Sequence, residues 1–267
     1  MHIRIQDYIP LSHPLRRLKC CTKWGLWLFA VIIGLSTTST VAHPWREVAP
    51  GVEYLDLSKN LITPWSHVHV FRINLKVNQL DVVMAHGLSQ VHASADEFAH
   101  HSNALITING GFFDRNFRPL GLRISSLQQQ SPLKRISWWD VFYIKNKKPF
   151  ITSGHQFNQG VHVEFAVQSG PRLLINGHIP SLKPGLAERS ALGISLDDRV
   201  IILVTENAPI TTSALAELMH NPPLNCENAL NLDGGSSSQL HAHFRNFQIQ
   251  VHGFTNVSDA IVVKGRR

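Results

Sequence analysis

The sequence predicts a single α+β domain with a mixed, mostly antiparallel sheet and few helices. Two observations predict it: short apolar or alternating segments recur along the chain, and only two segments carry helix signals. The length of 267 residues and a hydrophobic content of 43% suffice for one sizeable core. A charged fraction of 16% argues against a disordered chain. Three cysteines are too few for a disulfide-stapled scaffold.

The strand predictions rest on two kinds of pattern. Residues 68–77 alternate apolar and polar side chains, as a half-buried strand does. Residues 200–205 are nearly all apolar, as a strand covered on both faces is. The other predicted strands are 80–84, 105–108, 138–144, 161–167, 173–175, 229–232, 247–251 and 260–263.

Two short helices are predicted from their capping residues. Ser94 and Glu97 form a capping-box pattern, which predicts a helix to about His101. A cap within 211–213 predicts a second helix to about His220, where a Pro-Pro pair stops it.

The N-terminal segment has the features of an export signal. Residues 1–42 contain five basic side chains and one acidic one, so they carry +4 of the formal net charge of +7. A twelve-residue apolar run at 24–35 is short for a membrane span, which takes about 20 residues, and small residues follow at Thr40 and Ala42. The sequence therefore predicts a signal peptide at 1–42, a mature domain at 43–267, and export to the periplasm or the medium.

The N-terminal segment also has an alternative interpretation. The stretch before the apolar run is unusually long, so an uncleaved signal anchor stays open, and membrane contact would then occur only through this segment. The basic residues that follow are scattered and form no patch or stripe, so no nucleic-acid partner is predicted. With the signal removed, Cys226 is the single remaining cysteine, and it is predicted to be a small buried residue.

Two apolar segments each end in a polar residue and a glycine pair. The two turns are Asn109-Gly110-Gly111 and Asp233-Gly234-Gly235. Paired glycines let the backbone adopt positive φ and approach a ligand closely, and the N–H groups of such turns can bind an anion. Taken singly, each is also compatible with an ordinary tight turn.

Two arginines complete a candidate anion site. Arg172 follows a Ser-Gly-Pro turn, and Arg189 precedes a strand-like Ser-Ala-Leu-Gly stretch. A guanidinium offers a planar fork that matches phosphate oxygens. For either arginine alone, a solvent-facing role is the simpler interpretation.

The motifs together resemble those of a known family. Asn109-Gly-Gly-Phe-Phe113, Ser169-Gly-Pro-Arg172, Arg189-Ser-Ala-Leu-Gly193, the Ala229–Ser237 run with Asp-Gly-Gly-Ser-Ser, and Val257–Val263 occur in that order. The chain thereby resembles the phosphodiester glycosidase family over roughly 68–263, and within it the shorter exported bacterial members.

The resemblance implies an activity and a set of site residues. Members of the family remove a sugar that is joined through its anomeric carbon to a phosphodiester, and the implied partner is a glycan that contains sugar phosphate. The implied catalytic residues are Asp233, Glu206 and Asn109. The implied phosphate-binding residues are Arg172, Arg189, Ser236, Gly110, Gly111, Gly234 and Gly235.

The residues suit that chemistry. A departing phosphomonoester has a second pKa near 6, so a strong general acid is less necessary than in ordinary glycoside hydrolysis. Asp233 would activate water or stabilise positive charge at the anomeric carbon, and Glu206 would be the second carboxylate if one is used. The sequence does not separate these roles.

Metal ligands and other functions stay open at this stage. His67 with His69, and His241 with His243, have spacing for chelation, but pairs are frequent in a chain with 16 histidines. The sequence predicts no particular cofactor. A divalent cation such as Ca²⁺, bound by Asp233 and main-chain oxygens, stays open. Asp114 fits either a site or a turn.

Two other functions compete with the glycosidase. A non-catalytic glycan-binding protein of the cell envelope would keep the pocket without turnover. A general phosphodiesterase would cleave the phosphorus–oxygen bond, but two-metal sites of that kind need a dense ligand cluster that the sequence lacks.

Overall fold

A computed structural model describes residues 45–58, 65–158 and 162–266. The predictions for 1–42 lie outside these residues. The described residues all belong to one compact unit. None of the helices in the described ranges is long and apolar enough to cross a membrane.

Strands are the main regular structure of the described chain. The strands are β1 (Arg46–Ala49), β2 (Val52–Asp56), β3 (His67–Ile73), β4 (Asn78–Met84), β5 (Ile106–Asn109), β6 (Arg123–Ser125), β7 (Gln128–Ser131), β8 (Asp140–Lys145), β9 (Lys148–Ser153), β10 (Phe165–Ser169), β11 (Arg172–Leu174), β12 (Leu186–Ala187), β13 (Ser190–Ser195), β14 (Val200–Glu206), β15 (Ile210–Thr211), β16 (Cys226–Asn231), β17 (Leu240–Phe244), β18 (Phe247–Val251) and β19 (Asp259–Gly265). The α-helices within the described ranges are α1 (Ala95–Ser102) and α2 (Thr212–His220), and 3₁₀ turns include Ala85–Leu88 and Gly235–Ser237.

The strands form three larger sheets and one small one. The first sheet has the order β1-β2-β3-β14-β13-β16-β11, the second β18-β17-β5-β19-β4, and the third β7-β6-β10-β8-β9, while β12 pairs with β15. Every strand pairing within the described ranges is antiparallel. The predicted α+β class with few helices and mostly antiparallel pairing is confirmed, with several sheets in place of one.

One hydrophobic core joins the three larger sheets. It contains Phe71 and Leu230 of the first sheet, Ile108 of the second, and Phe142 and Phe165 of the third. A second cluster packs α2 against the opposite face of the first sheet. This explains why residues 200–205 are continuously apolar: β14 is covered on both faces.

Both helix predictions are confirmed. Ser94 caps α1, and both hydrogen bonds of the capping box with Glu97 are present. Thr211 caps α2 through the N–H of Ala214. Cys226 is 2% exposed and packs with α2, as predicted for a small buried residue.

Several strand bounds differ from the prediction. The strand expected at 68–77 ends at Ile73, because the chain turns at Asn74–Val77. The strand expected at 138–144 begins at Asp140, and the two tryptophans before it lie outside β8. The strand expected at 161–167 is shifted to Phe165–Ser169; residue 161 lies outside the described ranges.

Candidate active site

The two glycine-paired turns meet in space. Nδ2 of Asn109 donates to the main-chain oxygen of Asp233 over 2.8 Å, across 124 positions of sequence. The main-chain N–H of Asp233 donates to the oxygen of Gly110 over 3.4 Å. The structure therefore brings these two predicted site residues together, one from the end of β5 and one just after β16.

The side chain of Asn109 is fully buried and its polar atoms are occupied. Its Oδ1 accepts from the Ser190 hydroxyl over 2.7 Å and from the N–H of Gln239 over 3.2 Å. Since Ser190 lies in the first sheet and Asn109 in the second, the carboxamide ties the two sheets together. This arrangement favours a positioning role; a direct catalytic role of Asn109 stays a prediction.

Asp233 lies partly buried beside hydrogen-bond donors. Its Oδ1 accepts from the N–H of Gly234 over 3.1 Å, and the Ser237 hydroxyl also donates to the carboxylate. Burial raises the pKa of Asp233 above its ordinary value, and these two hydrogen bonds only partly oppose the rise. The pKa of Asp233 therefore lies closer to neutral pH than the pKa of an exposed aspartate does.

A buried ion pair supports the first turn. Nε of Arg123 lies 2.7 Å from Oδ1 of Asp259, and both side chains have no exposed surface. Arg123 also donates to the oxygens of Phe112 and Gln168, and the oxygen of Asp259 accepts from the N–H of Gly110. The sequence analysis assigned no role to either member; the signal was a lone arginine inside an apolar stretch.

The glycines of the first turn are required by this packing. A Cβ on Gly110 would overlap the Asp259 carboxylate, and one on Gly111 would lie 2.7 Å from the oxygen of Gln168 and 2.8 Å from Nη2 of Arg123. The backbone can follow this path only without side chains. In the second turn Gly235 has a φ of +62°, the left-handed region that glycine adopts readily.

Arg189 passes along the second turn. A Cβ on Gly234 would lie 4.0 Å from Cδ of Arg189, and the guanidinium donates to the oxygens of Ile210 and Gly185. Its Nη1 has no partner within the described part of the chain. Burial lowers the pKa of Arg189, but not enough to remove its charge near neutral pH. The aliphatic part of a buried arginine thus lies beside the Asp233 turn, and phosphate binding by its guanidinium stays a prediction.

Ser236 directly follows the second turn and is exposed. Its oxygen accepts from the N–H of Thr255 over 3.0 Å, whereas its hydroxyl and N–H have no partner in residues 45–58, 65–158 or 162–266. An exposed turn with free donors beside Arg189 suits an oxyanion. Phosphate binding by Ser236 stays a prediction.

Arg172 is directed elsewhere. It pairs with Leu230 three positions before Asp233, and its guanidinium turns back along β16 to Asn228, at 2.5 Å. It also forms an ion pair of 3.3 Å with Asp140. Since these protein oxygens occupy both ends of the fork, the geometry favours a structural role, and phosphate binding by Arg172 stays a prediction.

Glu206 is the last residue of β14, at the end of the first sheet where Asp233 follows β16. The register aligns Val204 with Ser190, and the N–H of Leu232 donates to the oxygen of Ser190. Glu206 and Asp233 are thus at nearly the same level on strands that are two apart, so their backbones are about 10 Å apart.

A histidine bonds the Glu206 carboxylate, and a tyrosine bonds that histidine. Nε2 of His69 lies 2.9 Å from Oε2 of Glu206, and the other ring nitrogen lies 3.0 Å from the Tyr54 hydroxyl. Burial lowers the pKa of His69, so the ring is neutral near pH 7. A neutral imidazole donates from Nε2 to Glu206 and accepts from Tyr54 at Nδ1. This chain orients one carboxylate oxygen, and the sequence analysis did not foresee it.

The other predicted polar residues have separate partners. His67 pairs with Asp56 over 2.8 Å, and His241 with Asp96 over 2.9 Å. Within the described ranges, no group of three or more His, Cys, Asp or Glu side chains is arranged to hold a metal ion. Asp114 accepts N–H groups within its own turn.

The donors around Asp233 bear on the Ca²⁺ alternative. The N–H of Gly234 and the hydroxyl of Ser237 both point at the carboxylate. Hydrogen-bond donors stabilise an anion and repel a cation, whereas Ca²⁺ takes six to eight oxygen ligands. These residues fit a bare carboxylate better than a calcium site.

Comparison with known proteins identifies the family. Residues 102–264, which include both turns, match the family described as phosphodiester glycosidase. The chain belongs to the phosphodiester glycosidase family. The resemblance inferred from the motifs is thereby confirmed.

Relatives and similar structures agree with this assignment. The uncharacterized protein YigE of Escherichia coli (strain K12) is 30% identical over 156 residues, which are 54% of this chain and 61% of YigE. The catalytic domain of zebrafish N-acetylglucosamine-1-phosphodiester alpha-N-acetylglucosaminidase, auto-inhibited by its pro-peptide, has a TM-score of 0.62 at 16% identity and covers 83% of this chain and 86% of that domain. A hypothetical protein from Synechocystis has a TM-score of 0.61 at 18% identity, over 85% of this chain and 64% of that one. The two structures share the fold with this chain.

The Arg123–Asp259 pair gives the first prediction. Asp259→Ala leaves a buried guanidinium without its counter-charge, and we expect it to lower the free energy of unfolding by about 3–5 kcal/mol. Urea denaturation followed by circular dichroism measures this loss. The double variant Arg123→Met/Asp259→Leu should recover part of the stability, because it buries no unpaired charge but leaves the main-chain oxygens that Arg123 bonds without donors. A double variant no more stable than Asp259→Ala would contradict this account.

Proposed function

We propose that this protein is an exported hydrolase that cleaves a sugar from a sugar-1-phosphodiester in a glycan or glycoconjugate. The observation that carries the proposal is the junction of the two turns, which brings Asp233 against the Asn109-Gly110-Gly111 turn, with the Arg189 side chain running along the second turn. Membership of the phosphodiester glycosidase family supports the reaction type. The zebrafish relative acts, by its name, on N-acetylglucosamine-1-phosphodiester, and this suggests the first substrate to test.

The phosphate would bind at the second turn. The substrate phosphodiester carries one negative charge, and the product monoester carries nearly two at pH 7. Arg189 and the free donors of Ser236 would therefore bind the phosphate more strongly as the bond breaks. Groups that bind the transition state more strongly than the substrate accelerate a reaction.

Asp233 would act at the anomeric carbon. In the proposed step the bond between this carbon and the phosphoester oxygen breaks, and the phosphate leaves with the electron pair. Water adds to the carbon, and its proton passes to the Asp233 carboxylate. A carboxylate with a raised pKa accepts that proton more readily than an ordinary aspartate. Glu206, held by His69, is the candidate second carboxylate.

The first test of the proposed function measures release of free sugar. The substrate is the methyl diester of N-acetylglucosamine 1-phosphate, with other hexose 1-phosphate methyl diesters in parallel. We expect Asp233→Asn to lower kcat about 100-fold or more with unchanged folding, because it removes the base. Asp197→Asn, an exposed change at the opposite end of the first sheet, is the matched control and should keep wild-type activity.

The same assay in ¹⁸O water identifies the bond that breaks. Label in the released sugar is expected, whereas label in the phosphate product would exclude the glycosidase mechanism. Activity should also survive EDTA, since the proposed step uses no metal. Tight binding of the diester by wild-type protein without release would favour the non-catalytic glycan-binding alternative.

The pH dependence follows from the environment of Asp233. The base is active when deprotonated, so kcat/KM should fall as pH decreases through a pKa that lies above the usual aspartate value near 3.9. Ser237→Ala removes a hydrogen bond that stabilises the carboxylate, and we expect the acid limb to move to higher pH. Ser195→Ala, whose hydroxyl bonds Asp197 at the other end of β13, should leave the limb in place. A limb that moves to lower pH in Ser237→Ala would contradict the assignment.

Export is proposed from the N-terminal segment. Expression of the full chain in a Gram-negative host, followed by fractionation and N-terminal sequencing, should give a periplasmic or secreted protein that begins near His43. A membrane-bound protein with an intact N-terminus would instead support the signal anchor. Recovery in the cytoplasm would contradict export.

A further inference from the structure

An exposed tryptophan adjoins both glycine-paired turns. Trp138 is 52% exposed, and its ring contacts that of Phe112, which directly follows Gly111, at a centroid distance of 5.8 Å. A Cβ on Gly170 would lie 3.2 Å from Cε3 of Trp138. The indole therefore packs against the two segments that border Asp233.

Hydrogen bonds link the Gly170 segment to the Asp233 strand. The oxygen of Gly170 accepts from Nδ2 of Asn231 over 3.1 Å, and the oxygen of Pro171 accepts from the N–H of Asn231. Asn231 is the last residue of β16, two positions before Asp233. The exposed indole is thus fixed close to the proposed reacting centre.

The indole is held rigidly by its neighbours. Trp139 stacks on Phe112 at 5.2 Å, and its ring meets Trp138 nearly at a right angle at 5.6 Å. Trp139 is buried, so Trp138 rests on a fixed aromatic base. A large aromatic ring kept half exposed at a polar site loses little conformational freedom when a ligand covers it.

The sheet order separates the two sides of Asp233. In the first sheet, β16 lies between β13, which follows Arg189, and β11, which follows Gly170 and Pro171. Arg189 and Trp138 therefore lie on opposite sides of the Asp233 turn. If the phosphate binds on the Arg189 side, the group on the other side of the broken bond is the sugar.

We propose that the pyranose ring of the sugar that is released stacks on Trp138. This inference rests on the proposed function, since it takes the position of the phosphate from it. Sugar rings present an apolar C–H face, and burying that face against an indole removes apolar surface of both partners from water. Trp138 contributes to sugar binding, and Asp233 and Arg189 act on the bond.

The methyl diester of a hexose 1-phosphate tests this directly, because the departing sugar is its only ring. We expect Trp138→Ala to raise KM roughly three- to tenfold, with kcat changed by less than about twofold. Trp138→Phe keeps an aromatic face and should show a smaller rise. Phe150→Ala removes another exposed aromatic, on β9, and should keep the wild-type KM. Thermal unfolding of each variant checks that the fold is kept.

A binding measurement separates this inference from the proposed hydrolysis. Calorimetric titration of the methyl diester into Asp233→Asn and into Asp233→Asn/Trp138→Ala should show weaker binding in the double variant. If wild-type protein releases sugar and Trp138→Ala has an unchanged KM, stacking on Trp138 is overturned and the hydrolase stands. If no release occurs but the double variant binds more weakly, stacking on Trp138 stands and hydrolysis is overturned. A diester that is neither bound nor cleaved overturns both.

Discussion

A single buried carboxamide holds the candidate site together. Asn109 belongs to the second sheet, yet its side chain bonds Ser190 and the main chain of Asp233, which both belong to or follow strands of the first sheet. Because these polar atoms lie in the interior, separating the sheets would leave all of them without partners, and unpaired buried polar groups are strongly unfavourable. The position of Asp233 thus depends on how two sheets pack as well as on the hydrogen bonds within its own loop.

The charges around this junction divide into two classes. The carboxylate of Asp259 is neutralised by Arg123 in the interior, so it supports the first turn and takes no part in binding. Asp233 forms no comparable ion pair within the described part of the chain; burial raises its pKa, and the hydrogen bonds from Ser237 and Gly234 and the charge of Arg123 only partly oppose the rise. Nη1 of Arg189, whose side chain runs along the same turn, has no acceptor within the described residues. The fold therefore pairs the Asp259 carboxylate with a cation and leaves the Asp233 carboxylate with a raised pKa.

The sequence predicted the features that depend on local pattern. The α+β class, both capped helices and the apolar β14 follow from periodicity and capping residues, and the motif order identified the family. Other features depend on contacts between distant segments. β7 is a run of glutamines and β9 contains Pro149, so both look unlike strands, and each is an edge strand of the third sheet, where such residues are tolerated. The inward direction of Arg123 and the turning of Arg172 away from Asp233 are set by partners that are remote in sequence.

The burial of Cys226 has a consequence for its reactivity. The side chain is packed beneath α2, and burial raises the pKa of its thiol far above the usual range, so almost no thiolate forms at physiological pH. Disulfide exchange proceeds through the thiolate. The folded domain should therefore react only slowly with disulfides and with oxidising catalysts.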